Sequence, residues 1–224
     1  MLTYYITDRT QFAGDEAERR AHLLRTIGQA AAAGVDFIQL REKDLCIRDL
    51  ELLAREALQV IGAAGRSRLL INHRTDVALA AGADGVHLTG ADVAASEARS
   101  WAAGRHPGSK FLVAASCHSA QQVRLAEAHG ADFAVLAPVF EKAGGLKNAI
   151  GLEELRLAAR KDQCPDLRVE AGDMRGNIPV FALGGVDLQQ AALCASAGAT
   201  GIAGIRLFQQ SADLSALVRS LVSL

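Results

Sequence analysis

The chain has 224 residues and a formal net charge of −1; half of its residues are apolar and 22% are charged. This is the balance of a globular protein with ample material for a core. It argues against bulk affinity for nucleic acid or an anionic membrane surface, so any anion binding must come from a local arrangement of residues.

No run approaches the 18 or more apolar residues of a spanning helix. The N-terminus opens directly on the strand-like Leu2-Thr3-Tyr4-Tyr5-Ile6, without a basic-then-apolar leader. Cys46, Cys117, Cys164 and Cys194 are scattered and include no C-x-x-C pair, which suggests neither a disulfide framework nor a zinc site. The expectation is a cytoplasmic protein with reduced thiols, Cys117 being a small buried hydrophobe.

In chain order, apolar segments at 3–7, 36–40, 69–72, 84–88, 111–115, 132–136, 179–183 and 200–204 predict strands. Ala/Leu/Arg/Glu-rich stretches at 15–33, 46–62, 75–81, 93–103, 119–129, 151–162, 187–196 and 211–222 predict helices. Ser119 and Asp187 stand where N-caps belong. The segment 163–178 reads as an irregular insertion before the seventh strand.

A repeat underlies this alternation. Gly34-Val35-Asp36-Phe37, Gly82-Ala83-Asp84-Gly85 and Gly130-Ala131-Asp132-Phe133 recur at equal spacing, and Gly198-Ala199-Thr200-Gly201 follows at a longer step. A helix ending at glycine, then a polar residue, then an apolar strand is αβ junction chemistry. The spacing fits two βα units, so the motif marks every second strand. Eight strands alternating with eight helices predict a single-domain α/β protein, a (β/α)₈ TIM barrel over residues 1–224. An open doubly wound sheet is the alternative, disfavoured by the even spacing and the lack of an early G-x-G-x-x-G.

A barrel of this kind carries its site at the C-terminal ends of its strands. There the sequence places Gln39-Leu40-Arg41-Glu42-Lys43, Asn72-His73-Arg74, Ser116-Cys117-His118, Gly184-Gly185 and Gly204-Ile205-Arg206. Arg41 and Lys43 are either a solvated surface cluster or an anion receptor, and the company of the other polar strand ends favours the receptor. Gly184, Gly185 and Gly204 offer bare backbone N–H groups in loops seven and eight, the usual phosphate device of such barrels. His118, beside Ser116 and Ser119, is better placed for proton transfer than His87, which lies within the fourth strand. Asp76 and Asp92 could take a divalent cation, although capping or solvation is the default for each. His22, His106 and His129 read as surface residues. Trp101 and the Ala-rich helical faces offer either packing or a homo-oligomer interface.

Taken in order, Tyr5-Ile6-Thr7-Asp8, Gln39 to Lys43, Asn72 to Ala78, Gly82 to Leu88, Ser116 to Ser119, Gly130 to Phe133, Pro138-Val139-Phe140 and Ala182 to Val186 resemble the thiamine phosphate synthase/TenI superfamily across almost the whole chain. The resemblance implies a barrel acting on thiazole phosphate, with no nucleic-acid or membrane partner. It also implies one of two activities. The synthases join a pyrimidine diphosphate to thiazole phosphate with magnesium, expelling pyrophosphate. The TenI group, the thiazole tautomerases, moves a proton and needs no cofactor.

His73 stands where the synthase pattern has a magnesium-binding Asp, and imidazole is a poor magnesium ligand. Asp92 matches the second metal position, relevant only to a synthase. Glu141 to Gly145 lacks the hydroxyls that hold pyrophosphate, with Lys142 or Lys147 as substitutes. These departures favour the tautomerase. The resemblance then casts His118 as acid/base and Gln39, Arg41, Lys43, Asn72, Ser116, Gly184, Gly185, Gly204 and Ile205 as substrate-binding residues. The synthase and a non-catalytic thiazole-phosphate-binding regulator are the alternatives.

Overall fold

The protein is described by a computed structural model covering residues 1–105, 111–141, 149–159 and 178–224. Eight strands run β1 (Leu2–Ile6), β2 (Phe37–Leu40), β3 (Arg68–Asn72), β4 (Gly85–Leu88), β5 (Leu112–Cys117), β6 (Phe133–Leu136), β7 (Val180–Ala182) and β8 (Gly201–Gly204). Between them lie α1 (Glu16–Ala32), α2 (Ile47–Ala64), α3 (Thr75–Ala81), α4 (Ala95–Arg105), α5 (Ala120–Ala128), α6 (Gly151–Ala159) and α7 (Leu188–Ser196). Two further helices, α8 (Arg206–Gln209) and α9 (Leu214–Val222), follow β8. Each strand pairs in parallel with the next, and β8 pairs with β1 to close the barrel. Among the described residues no helix is long and apolar enough to cross a membrane. The proposed insertion at 163–178 lies almost wholly outside the described residues.

The repeat has a mechanical explanation. Gly34, Gly82, Gly130 and Gly198 end their helices with φ between 76° and 94°, a backbone region that penalises any side chain with a Cβ. The Asp two residues on then reaches back across the sheet. Asp36, Asp84 and Asp132 accept, each at 2.8 Å, the backbone N–H groups of Thr3, Leu69 and Val113. Each even strand thus pins the start of the odd strand before it. In the fourth copy Thr200 replaces Asp, and only its backbone carbonyl takes the N–H of Leu2, at 3.0 Å.

Caps set the helix starts. Asp15 and Asp187 form capping boxes with Glu18 and Gln190, and Ser119 and Asp213 accept from Gln122 and Ala216. The sequence predicts one terminal helix from 211. The short α8 is an addition to that expectation, and its contacts explain it. Phe208 is fully buried against Tyr5, and Gln209 accepts from the backbone N–H of Asp8 at 2.8 Å and donates to its carbonyl at 3.0 Å. This turn of helix therefore docks the loop after β1.

Strand alternation divides the core in two. Tyr5, Ile38, Ile71 and Val86 face the helices, whereas Tyr4, Leu70, Leu112, Phe133 and Phe181 fill the barrel. Tyr4 meets Phe133 edge-on with 5.5 Å between ring centroids, and Phe133 lies 5.0 Å from Phe181. The barrel is packed shut below its mouth.

Asp36→Ala strips the partner from the N–H and hydroxyl of fully buried Thr3. It should lower the unfolding free energy in a urea titration by roughly 1–3 kcal/mol.

Candidate active site

A cavity of about 780 Å³ opens at the C-terminal ends of the strands. Gln39, Arg41, Lys43, Asn72, Ser116, His118, Gly184 and Ile205 line it, together with His73, Arg74 and His87. Gly185, Gly204 and Asp92 are not among its lining residues.

The loop after β2 is held by a carboxylate. Glu42 is only 4% exposed; it accepts from the Thr7 hydroxyl at 2.5 Å, the Arg9 backbone N–H at 3.0 Å and Arg9 Nη1 at 3.1 Å. Arg9, itself buried, also engages Asp44 at 2.7 and 2.9 Å and Glu16 at 2.6 Å. Burial raises the Glu42 pKa against the opposing pull of Thr7 and Arg9, while the Arg9 hydrogen bond lowers that of Asp44. Thr7 Oγ1 also accepts the Arg41 N–H at 2.9 Å. Arg41 and Lys43, the neighbours on either side of this anchor, line the cavity.

His118 donates from Nδ1 to the Ala137 carbonyl at 2.7 Å, and its own backbone N–H donates to Gln122 Oε1 at 2.6 Å. A carbonyl can only accept, so Nδ1 carries the hydrogen; Nε2 has no hydrogen-bond partner among the described residues.

His87 differs. Its Nδ1 lies 3.0 Å from the Tyr4 hydroxyl and its Nε2 2.8 Å from Ser116 Oγ, deep in the barrel mouth. Burial pushes its pKa down to about 3, with the charge of Arg41 adding to the effect and that of Asp92 opposing it. The sequence ranks His87 below His118 because it lies within a strand. The strand turns it inward to the cavity floor, and alternation from Gly85 carries that signal. Cys117, also buried, has its thiol pushed up to about 12 by burial, as suits a packing residue.

The glycines of loop seven have a further reason to be glycines. At Gly184, with φ 100°, a Cβ would lie 2.7 Å from Pro138 Cβ; at Gly185, with φ 65°, it would lie 2.7 Å from the Glu141 carbonyl. The loops after β6 and β7 cross here, joined by the Val139 N–H to Leu183 and the Phe140 N–H to Gly184. Close crossing accounts for both residues, and of the two only Gly184 reaches the cavity. Gly204, ending β8, is not among the lining residues, whereas the adjacent Ile205 is.

His73 takes a left-handed backbone, φ 67°, and its Nδ1 pairs with Asp92. Asp92 also accepts from the Thr89 backbone N–H at 2.6 Å and hydroxyl at 2.9 Å. Asp76 is paired with Arg74. Among the described residues no three His, Cys, Asp or Glu side chains gather as a metal-holding group. A magnesium ion wants several oxygen ligands. One carboxylate already engaged by three donors, beside an imidazole, does not fit it. The stretch holding Lys142 and Lys147 lies outside the described residues.

The family described as thiamine monophosphate synthase matches residues 3–208. This chain belongs to that family. It is 38% identical to the thiamine-phosphate synthase of Methanoculleus marisnigri over 97% of the chain and 92% of the relative. It is 35% identical to the putative thiamine-phosphate synthase 2 of Aquifex aeolicus over 92% and 96%. Its structure matches the thiamine phosphate pyrophosphorylase from Pyrococcus furiosus with a TM-score of 0.74, at 25% identity over 99% and 94% of the two chains. These names fit the synthase side of the family better than the tautomerase side that the sequence favours.

Two measurements check the site. Glu42→Ala leaves buried Arg9 short of a partner and should cost roughly 3 kcal/mol of stability by chemical denaturation. A His87 held neutral when folded, but titrating near 6.5 when unfolded, contributes stability that is present above that pH. The contribution is lost as pH falls from about 6.5 toward 3, by up to about 1.4 kcal/mol per pH unit. His87→Gln should flatten the dependence of unfolding free energy on pH in that window.

Proposed function

We propose that the protein is a thiamine-phosphate synthase, joining a pyrimidine diphosphate to thiazole phosphate with release of pyrophosphate. The observation that carries this reading is a single cavity with two anion-receptive arcs. Arg41 and Lys43 come from the end of β2, and Gly184 and Ile205 come from the ends of β7 and β8; Arg74, at the end of β3, also lines the cavity but is paired with Asp76. A reaction between a diphosphate and a monophosphate needs two such places. Its volume, about 780 Å³, lies in the upper part of the range for small-molecule sites.

The thiazole nitrogen would form its bond to the pyrimidine methylene carbon as the bond from that carbon to the diphosphate oxygen breaks. Charge then gathers on the departing pyrophosphate. Guanidinium and ammonium groups beside it would stabilise that charge. The anchoring of Glu42 and of the Arg41 N–H holds the backbone from which Arg41 and Lys43 project. Gln39, Asn72 and Ser116 add hydrogen-bonding groups to the lining. In the synthases the resemblance brings in, magnesium shares the work on the diphosphate; the engaged Asp92 does not fit that ion, and no step here depends on it.

The tautomerase is the second reading, favoured by His118, whose Nε2 has no partner among the described residues. Incubation with each substrate set, with and without magnesium, separates them. Pyrophosphate release from the paired substrates supports the synthase; aromatisation of a thiazole carboxylate phosphate without pyrophosphate supports the tautomerase. For a synthase, Arg41→Ala should lower kcat/KM by about 10²–10³, whereas His118→Ala should cost less than ~10-fold; the reverse order would match a tautomerase.

A further inference from the structure

Tyr4, His87 and Ser116 stand in a line from the packed barrel interior to the cavity. Each comes from a different strand and faces inward. The spacings are 3.0 Å from the Tyr4 hydroxyl to Nδ1 and 2.8 Å from Nε2 to Ser116 Oγ. A serine hydrogen-bonded to a histidine whose other nitrogen is held by a third group resembles a nucleophile and its base. The third group, however, has the opposite polarity. A carboxylate can only accept, so in a Ser-His-Asp triad it keeps hydrogen on Nδ1 and leaves Nε2 able to take the serine proton. A neutral phenol must place its hydrogen somewhere. Tyr4 is fully buried among Phe37, Phe133 and Phe181, and burial raises its pKa well above the usual value. Among the described residues its hydroxyl has one hydrogen-bond partner, His87 Nδ1.

We propose that Tyr4 and His87 are positioning residues that hold Ser116 as a hydrogen-bond donor to the ligand: Tyr4 O–H donates to Nδ1, Nε2–H donates to Ser116 Oγ, and the serine hydrogen is left pointing into the cavity. If Nδ1 carried the hydrogen instead, the phenol hydrogen would be buried without an acceptor, a costly arrangement. A ring that stays neutral at working pH keeps this direction, and burial together with Arg41 holds it neutral against the weaker pull of Asp92. The arrangement assigns Ser116 a specificity role. The ligand atom that meets it must be an acceptor, such as an unprotonated ring nitrogen or an anionic oxygen, and Ser116 is not a nucleophile.

The direction of the hydrogens is a property of the ligand-free protein, so it can be read independently of the activity proposed above. With ¹⁵N-labelled histidine, long-range ¹H–¹⁵N correlation at neutral pH should show His87 as the Nε2–H tautomer, its signals assigned by their loss in His87→Gln. In Tyr4→Phe, checked for folding by circular dichroism, that tautomer should lose its dominance. An Nδ1–H tautomer in the unmodified protein would overturn the proposal and make Ser116 a donor to His87. In the synthase assay, Tyr4→Phe should lower kcat/KM by ~10-fold. The same change on a Ser116→Ala background should add almost nothing, because the path to the ligand is already cut. Additive losses would show that Tyr4 acts through packing alone and would also overturn it. If the protein proved inactive in that assay, the tautomer measurement would still decide the matter.

Discussion

The loops after β1 and β2 at the mouth of this barrel depend on one buried carboxylate. Glu42 sits in a stretch of alternating charge, where a solvated side chain would be ordinary, yet it is turned inward and joins the loop after β1 to the loop after β2 through Thr7 and Arg9. Burying a carboxylate is costly unless its lone pairs are filled, and here three donors fill them. With Glu42 fixed, its neighbours Arg41 and Lys43 line the cavity on either side of it. A charged group buried for structural reasons thereby organises two charged groups exposed for chemical ones.

The barrel itself was legible because its cause repeats. Glycine and Asp at fixed places before Phe37, Gly85 and Phe133 mark alternate strands, and the same Asp that makes the pattern visible pins the neighbouring strand. The strand ends were legible for a similar reason, since apolar segments that stop at polar or glycine-rich residues stand out. The tertiary partners were not. Nothing local distinguishes Glu42 from Glu51, or shows that Arg9 will fold back onto Asp44 and Glu16. Tyr4 and His87 are 83 residues apart, and only the closed sheet brings them together. Gly184 and Gly185 were conspicuous, but their need for glycine lies partly in the loop they cross.

The two arcs of the cavity reconcile the family membership with the local departures. His73 occupies Asp92 and removes a carboxylate site suited to magnesium, whereas Arg41 and Lys43 keep positive charge at the cavity, where the proposed reaction would gather charge on pyrophosphate. The lining residues from the ends of β7 and β8, Leu183, Gly184 and Ile205, carry no formal charge, which in the proposed reaction suits a group that is held throughout and not released. This division of labour follows from the chemistry of the side chains: guanidinium and ammonium answer a changing charge, and backbone dipoles orient a constant one.

The two-arc cavity should hold two anionic groups at once. Calorimetric titration of inorganic pyrophosphate into protein saturated with thiazole phosphate reads this out. The two-arc site predicts one-to-one pyrophosphate binding with an affinity within a few-fold of that for the free protein, lost in Arg41→Ala while thiazole phosphate still binds. Mutual displacement of the two ligands would contradict it and leave a single-anion site in its place.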